Sequence, residues 1–194
     1  MNQFELGLLE SLDRIVRNSF LDAVMPTITA LANNGLTWVV LAIVLLVIAK
    51  YRKVGLTLAI AILVEWGLVN GILKPLVGRS RPFELDPTFP LLATPPHDAS
   101  FPSGHAAISF AAAYVIYHFN KRWGIVAYVL AALIALSRLY LFFHFPSDVI
   151  AGTLIGIAVG AFAVWLVTWL EPRWCKNKTD DTTQGESDEL ECVA

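Results

Sequence analysis

The chain contains a series of long apolar segments, and these constrain its fold more than any other feature. Four of them, over residues 54–73, 103–119, 123–142 and 147–170, are close to the roughly 20 residues that cross the hydrocarbon core of a bilayer. A fifth, over residues 37–49, is shorter. With 56% hydrophobic and only 15% charged residues, the composition excludes an ordinary soluble globular domain. The sequence therefore predicts an all-α, polytopic membrane helical bundle.

The number of spans depends on residues 20–32, which are apolar but contain Asp22 and Pro26. This stretch either crosses the bilayer obliquely or dips into it and turns at the Asn-Asn-Gly sequence of residues 33–35. We expect about six transmembrane helices, with five as the alternative. Residues 1–17 alternate acids, bases and leucines, which is typical of an amphipathic helix at the membrane interface.

Basic residues predict the orientation of the bundle. They fall in three connections, over residues 50–53, 121–122 and 173–178. These connections share one side if the helices alternate, and the positive-inside rule makes that side cytoplasmic. In the six-helix arrangement, Arg14 and Arg17 join them there. The loop over residues 75–102 and the turn around His144 then lie on the opposite, non-cytoplasmic face.

A change in composition near residue 176 predicts two regions. Residues 1–176 form a membrane-embedded domain, whereas residues 177–194 are acidic and poor in large apolar side chains. We expect this tail to be disordered. Because it follows the last apolar segment, the same orientation rule makes it cytoplasmic.

Three glycines recur every four residues along the last apolar segment, at Gly152, Gly156 and Gly160. Glycines at this spacing lie on one face of a helix, where they let a second helix approach closely. The pattern predicts a helix-packing surface.

Three polar clusters interrupt the apolar pattern at segment ends, over residues 74–82, 101–105 and 137–148. The predicted topology brings all three to the same face of the membrane. Together they supply lysine, arginine, serine, histidine and aspartate side chains, which are the groups needed to bind and cleave a phosphate ester. They are the candidate functional site.

The second cluster is predicted to begin a helix. Pro102 is followed by Ser103, Gly104, His105 and a run of small apolar residues, which is typical of a helix start. Unpaired backbone N–H groups at that terminus, together with the Ser103 hydroxyl, form a ready anion site. Gly104 lets the backbone approach a phosphate group closely.

The third cluster places a histidine and an acid around the start of the last helix. Pro146 is suited to begin that helix, so His144 lies just before it and Asp148 falls in its first turn. At this separation the Asp148 carboxylate can reach one imidazole nitrogen and leave the other free to attack. Alternatively, Asp148 caps the helix. A guanidinium at Arg138, near the end of an apolar segment, is costly unless it meets an anion.

The first cluster contributes three cations, Lys74, Arg79 and Arg81, which could snorkel to the membrane interface. Arg79 fits snorkelling and ligand binding equally well. Two further polar residues, Glu65 and Asn70, lie in the preceding apolar segment. An intramembrane carboxylate is a candidate functional group. Glu65 is nevertheless not expected to act in catalysis. It lies about 13 Å from Lys74 along the helix, at a rise of about 1.5 Å per residue.

The three clusters resemble, in order and spacing, the signature of the type 2 phosphatidic acid phosphatase superfamily, whose site is shared with vanadium haloperoxidases and bacterial acid phosphatases. The matching parts are Lys74-x6-Arg81-Pro82, Pro102-Ser103-Gly104-His105 and Ser137-Arg138-x5-His144-x3-Asp148. The resemblance extends over roughly residues 20–172. It implies that His144 is a nucleophile forming a phosphohistidine, that Asp148 orients it, and that His105 is the general acid and then the base. The phosphate ligands that it implies are Lys74, Arg81, Ser103, Gly104 and Arg138.

The resemblance also implies a function. Residues 1–176 would form a multi-pass phosphatase domain of the cell membrane that hydrolyses a lipid phosphate or diphosphate, such as undecaprenyl diphosphate, phosphatidylglycerol phosphate or phosphatidic acid. No metal, cofactor or nucleic acid is implied, and the oligomeric state is not predicted. The alternatives are a lipid phosphotransferase with the same intermediate, or a catalytically silent lipid-phosphate transporter or scaffold.

Overall fold

The computed structural model describes the backbone of residues 2–181 and the side chains of residues 3–33 and 35–171. Within these residues the regular structure is helical, which confirms the all-α prediction. A π-helical segment, Gly67–Leu73, joins α4 to α5, and short 3-10 turns at Asn33–Gly35 and Ala49–Tyr51 precede α3 and α4. The helices are α1 (Asn2–Val16), α2 (Ser19–Ala30), α3 (Leu36–Val47), α4 (Arg52–Trp66), α5 (Lys74–Val77), α6 (Pro82–Leu85), α7 (Gly104–Phe119), α8 (Lys121–Tyr140) and α9 (Pro146–Asp181).

The predicted apolar segments all become helices, and their bounds differ from the prediction by a few residues except in the last, where α9 continues to Asp181. In the described part of the chain, three stretches are long and apolar enough to cross a membrane: Ala49–Leu85, Lys121–Tyr140 and Pro146–Glu171. Two other helices are shorter: α3 has 12 residues and α7 has 16. These helices fit a membrane-embedded bundle.

Helix α7 is the centre of the bundle and packs against α4, α8 and α9. Its buried face is built from small residues, including Ala107, Ala111 and Ala112, so the neighbouring helices approach its backbone closely. The three glycines of α9 face this surface, and a Cβ atom at any of them would meet the α7 chain at residues 103, 107 or 111. The predicted packing role of the glycine repeat is therefore confirmed.

Helix α2 lies across one end of the bundle, because both of its ends contact that end. Near its start, Asp22 accepts a hydrogen bond from Tyr140 Oη at 2.7 Å, and near its end Thr29 accepts one from Arg138 at 2.6 Å. The chain then turns at Asn33–Gly35, where Gly35 has a φ of +68°. This course corresponds to the second alternative for residues 20–32, the dip followed by a turn.

The expectation for Arg17 in the six-helix arrangement is wrong. Its guanidinium lies 5.3 Å from the centre of the Phe89 ring and donates to the Pro90 carbonyl at 3.4 Å, which places it at the same end as the loop over residues 75–102. The reason is that α2 does not separate α1 from this loop. At the other end of the bundle, Lys53 pairs with Glu171 at 2.6 Å.

The boundary predicted at residue 176 falls inside α9, whose backbone continues to Asp181. The rest of the predicted acidic tail, residues 182–194, lies outside the described residues. Its predicted disorder stays a prediction.

We expect Gly156→Ala to destabilise the protein, because the added Cβ would collide with the Ala107 backbone. Overpacking of this kind costs about 1–3 kcal/mol. Gly71→Ala is the matched control, since a Cβ there meets nothing within 4 Å. The check is thermal unfolding in detergent, where a midpoint for Gly156→Ala equal to that of the control would contradict the close α7–α9 contact.

Candidate active site

Three buried cations converge on one cavity of about 880 Å³. Lys74 begins α5, Arg81 precedes α6, and Arg138 lies in the last turn of α8. Each is at most 8% exposed. Gly104, His105 and His144 line the same cavity, so the structure brings together residues from all three predicted clusters.

A π-helical segment immediately before Lys74 sets its position. Within it, the Lys74 amide donates to the carbonyl of Val69, five residues earlier. This wider turn changes the direction in which the following side chains leave the helix, and such insertions are frequent at functional sites. Asn70 and Lys74 both line the cavity as a result.

The start of α7 forms a second wall of the site. Ser103 is the N-cap residue, and its backbone N–H donates to the Asp148 carbonyl at 3.0 Å, which joins the starts of α7 and α9. Its buried hydroxyl has no hydrogen-bond partner among the described residues. An unpaired buried hydroxyl costs about 1–3 kcal/mol, but Ser103 is not among the residues that line the cavity. Its role as a phosphate ligand stays a prediction.

Gly104 and His105 complete this wall. A Cβ at Gly104 would lie 3.6 Å from the Lys74 ammonium nitrogen, so the absence of a side chain keeps the space beside that cation open. The Nε2 atom of His105 lies 3.3 Å from the Asn33 side-chain oxygen. Asn33 was not identified in the sequence as a site residue, although the turn that contains it was.

A tight turn between α8 and α9 positions His144. Phe142 adopts a left-handed φ of +63°, and its ring stacks on Phe89 with centroids 3.9 Å apart. Arg81 donates to the Phe143 carbonyl at 2.7 Å, and the same nitrogen lies 3.3 Å from His144 Nε2. The Nε2 atom therefore faces the cations.

Asp148 lies on the other side of the imidazole, with its Oδ2 atom 3.7 Å from His144 Nδ1. The two groups are close, as the spacing predicts, but this distance exceeds that of a hydrogen bond. The same oxygen accepts hydrogen bonds from Ser100 Oγ at 2.5 Å and from the Phe145 amide at 2.8 Å. Asp148 thus contacts both the histidine and the helix start.

The environment of His144 keeps its imidazole neutral. Complete burial lowers its pKa well below the ordinary value of 6.5, and the positive charges of Arg81, Arg138 and Lys74 lower it further. A neutral imidazole retains a free lone pair, which is what a nucleophile requires.

Asp98, which the sequence reasoning did not single out, binds two of the cations. Its carboxylate forms ion pairs with Lys74 and with Arg81, the latter at 2.7 Å. Burial raises the pKa of this carboxyl, but hydrogen bonding and the charges of both cations outweigh that effect and lower the pKa to about 2. The half-exposed Asp98 side chain therefore supplies an anion where a phosphate group would bind.

Two other polar residues differ in their relation to the cavity. Arg79 contacts Asp148 and Glu5 and is not among the residues that line the cavity. Glu65 does line it, and one of its buried carboxylate oxygens has no hydrogen-bond partner among the described residues. Neither arrangement was predictable from local sequence, because both depend on distant segments.

A profile of the PAP2 superfamily matches residues 50–172. The chain belongs to the PAP2 superfamily. The match includes Lys74, His105, His144 and Asp148, so the signature read from the sequence lies inside the matched region.

Several known proteins resemble the chain in sequence. It is 35% identical to an undecaprenyl-diphosphatase of Sulfolobus acidocaldarius over 66% of its length and 62% of that protein. It is also 35% identical to a lipid A 4'-phosphatase of Bacteroides thetaiotaomicron, over 59% of its length and 52% of that protein. A bacitracin transport permease protein, BcrC, of Bacillus licheniformis is 29% identical, with 72% and 70% covered.

Solved structures of PAP2 proteins share the fold. Aquifex aeolicus LpxE superposes with a TM-score of 0.73 at 32% identity, over 82% of this chain and 93% of that one. The PAP2-type phosphatidylglycerolphosphate phosphatase of Bacillus subtilis gives 0.64 at 26% identity, over 88% and 86%. A bacterial vanadium-dependent iodoperoxidase shares only the fold, with a TM-score of 0.62 at 15% identity, over 82% and 47%.

We expect Asp98→Asn to strengthen the binding of inorganic phosphate, because the neutral amide competes less well for Lys74 and Arg81. The expected gain is about threefold to tenfold, equivalent to about 0.6–1.4 kcal/mol. The measurement is the inhibition constant of phosphate against substrate hydrolysis. Asp86→Asn is the matched control, because that carboxylate contacts Thr88 in the same loop. Weaker phosphate inhibition in Asp98→Asn would show that Asp98 organises the cations and does not compete for them.

Proposed function

We propose that the protein is a membrane lipid phosphatase that removes the terminal phosphate from a lipid phosphate or diphosphate. One observation carries the proposal: a buried His144 whose Nε2 atom faces Arg81 on a cavity that Lys74, Arg138 and His105 also line. The cations bind the phosphate group, and both histidines are available for the chemistry. The names of the PAP2 relatives support the same activity.

The first step is attack on phosphorus by His144 Nε2. The bond between phosphorus and the leaving oxygen breaks, and its electron pair stays on that oxygen. His105 donates a proton to the leaving oxygen. The product is a phosphohistidine whose imidazolium charge is stabilised by Asp148 on the Nδ1 side.

The second step is hydrolysis. His105, now neutral, accepts a proton from a water molecule, which attacks phosphorus as the bond to His144 Nε2 breaks. Inorganic phosphate leaves, and both histidines return to their starting states. One residue thus acts as acid and then as base, as microscopic reversibility allows.

The positive charge for this reaction comes from the chain itself. Lys74, Arg81 and Arg138 stabilise the negative charge on the equatorial oxygens, with the Ser103 hydroxyl and the Gly104 amide as further donors. In other phosphoryl-transfer sites Mg²⁺ supplies much of this charge. We therefore propose a metal-independent mechanism.

Among lipid substrates, we propose polyprenyl diphosphates first, with phosphatidylglycerol phosphate and phosphatidic acid as the other candidates. Several relatives carry the name undecaprenyl-diphosphatase, including those of Sulfolobus acidocaldarius and Bacillus subtilis. The cationic cluster is suited to a phosphate group and does not itself distinguish lipid tails. A substrate panel therefore has to decide this level of specificity.

The name of the Bacillus licheniformis relative, a bacitracin transport permease protein, favours transport as a second candidate function. Transport would need anion binding but would have no use for a nucleophile, its acidic partner and a separate general acid. A lipid phosphotransferase remains the alternative within catalysis, since an acceptor hydroxyl can replace water at the phosphohistidine.

We further propose that five helical units cross the membrane: α3, α4 with its extension to α5, α7, α8 and α9. The site then lies on the non-cytoplasmic face. Two observations support this arrangement: α2 keeps both ends at the site end of the bundle, and the basic connections at residues 50–53 and 121–122 lie at the other end. The positive-inside rule assigns that other end to the cytoplasm.

Purified protein is expected to release inorganic phosphate from at least one of the three lipid classes in the presence of EDTA. We expect His144→Ala to reduce this rate by at least about 10³-fold, as loss of a catalytic nucleophile does. His118→Ala is the matched control, because that histidine is exposed at the far end of α7.

Unchanged release by His144→Ala would overturn the assignment of His144 as the nucleophile, and loss of activity in EDTA would overturn metal independence. Phosphate appearing mainly on an added acceptor lipid would instead identify a phosphotransferase, and binding without turnover would favour transport.

The proposed orientation is tested by cysteine labelling in intact cells, after Cys175 and Cys192 are replaced by alanine. We expect Thr94→Cys, in the exposed loop beside the cavity, to react with a membrane-impermeant maleimide from outside. Lys121→Cys, at the opposite end, should react only after permeabilisation. The reverse pattern would place the site in the cytoplasm.

A further inference from the structure

Arg79 makes its contacts behind the catalytic histidine. Its Nη1 atom donates to Asp148 Oδ1 at 2.5 Å and to Ser147 Oγ at 2.7 Å. Its guanidinium carbon lies 4.2 Å from the centre of the Phe145 ring. Arg79 does not line the cavity, so it has no direct access to a phosphate bound there.

Glu5 of α1 holds the other side of the same guanidinium. Its Oε2 atom accepts from Arg79 Nη2 at 2.5 Å, and its Oε1 atom accepts from the Ser147 amide at 3.0 Å. Burial raises the pKa of Glu5, but hydrogen bonds from Ser147 and Arg79, with the Arg79 charge, outweigh this effect and lower the pKa. The acid is therefore ionised, and it connects α1 to the first turn of α9.

Charge balance explains why Asp148 needs this partner. Its carboxylate is fully buried, and an uncompensated buried charge costs several kcal/mol. Neutral His144 provides no positive charge in the resting state, whereas Arg79 provides one at hydrogen-bond distance. The Arg79 contact also occupies Oδ1, which leaves Oδ2 on the side of His144 Nδ1.

We propose that Arg79 is a positioning residue for Asp148 and that Glu5 fixes Arg79, so that α1 is a functional part of the active site. This inference rests on the proposed phosphatase mechanism, in which Asp148 stabilises the phosphorylated imidazole. Arg79 holds Asp148 by a direct hydrogen bond before the reaction, so the carboxylate is already in place when His144 becomes positively charged. The step that depends on it is chemistry and not phosphate binding.

Removal of Arg79 should change the titration of the His144–Asp148 pair in a definite direction. Without the guanidinium, the pair binds a proton more readily, whichever member carries it. The acid limb of kcat/KM, which reports the free enzyme, should then move to higher pH. The other charged or titratable groups near the pair are Glu5 of α1, Lys74 of α5, Arg81 before α6, Asp98 of the following loop, His105 of α7 and Arg138 of α8, and all are retained in the test.

The test compares Arg79→Gln, Arg79→Lys and Glu5→Gln with the wild type. We expect Arg79→Gln to lower kcat by about tenfold to a hundredfold, the usual effect of removing a group that orients a ligand-contacting residue, with KM changed by less than about threefold. Arg79→Lys should recover part of the loss. Glu5→Gln should lower kcat by a smaller amount, and adding it to Arg79→Gln should cause little further loss.

Matched controls separate positioning from general stability. Glu10→Gln changes another acid of α1, and Arg52→Gln changes an exposed arginine at the opposite end of the bundle. Neither should affect kcat or the acid limb. If Arg79→Gln does not fold, Glu5→Gln and Arg79→Lys carry the same comparison. An increase in KM alone would make Arg79 a substrate ligand, and lower activity with an unchanged acid limb would leave it a structural residue; either result overturns the proposal.

A histidine titration by NMR distinguishes failure of this inference from failure of the proposed function. The His144 signal, assigned by its loss in His144→Ala, should titrate at higher pH in Arg79→Gln than in the wild type. This readout needs no turnover. If the wild type released no phosphate, the proposed function would fail while the titration still decided whether Arg79 controls the pair; an unchanged titration would overturn the positioning role.

Discussion

The structure depends on keeping several like charges buried at one end of an apolar bundle. Three cations share a cavity wall with the two histidines, and burying each of them is unfavourable unless an anion lies nearby. The chain meets this requirement with two separate sets of acids. Asp98 pairs with two of the cations that face the cavity, Lys74 and Arg81, while Asp148 and Glu5 contact Arg79 behind the histidine. Because the two sets are separate, a phosphate group can replace Asp98 at the cavity while Asp148 and Glu5 keep their contacts with Arg79.

This division accounts for the state of His144. Cations on its Nε2 side oppose protonation, and the acid on its Nδ1 side is already paired with Arg79. A neutral imidazole with cations on its Nε2 side and the Arg79-paired Asp148 on its Nδ1 side can donate its lone pair. In the proposed mechanism the balance reverses after attack, because the bound phosphate would neutralise the cations on the Nε2 side and Asp148 would stabilise the imidazolium on the Nδ1 side.

Much of this arrangement could be predicted from the sequence, and the exceptions have a common cause. The apolar segments predicted the helices because burial in lipid imposes a minimum length, and motif spacing brought Lys74, His105 and His144 together because all three lie at segment ends. Asp98, Glu5 and Asn33 were missed because each acts through a partner more than 20 residues away, which no local pattern encodes. Arg17 was predicted at the wrong end because the six-helix arrangement assumed that α2 crosses the membrane. Both ends of α2 instead lie at the site end of the bundle.

The glycine repeat of α9 has a consequence for how a lipid enters. Backbone contact between α7 and α9 is close, so the start of α7, which carries His105, and the start of α9, which follows His144, are held together. Helix α2 is held differently, through side-chain hydrogen bonds at its two ends. Pro26, Thr29 and Ala30 of α2 line the cavity, so in the proposed lipid phosphatase a tail would pass α2 and not the α7–α9 contact.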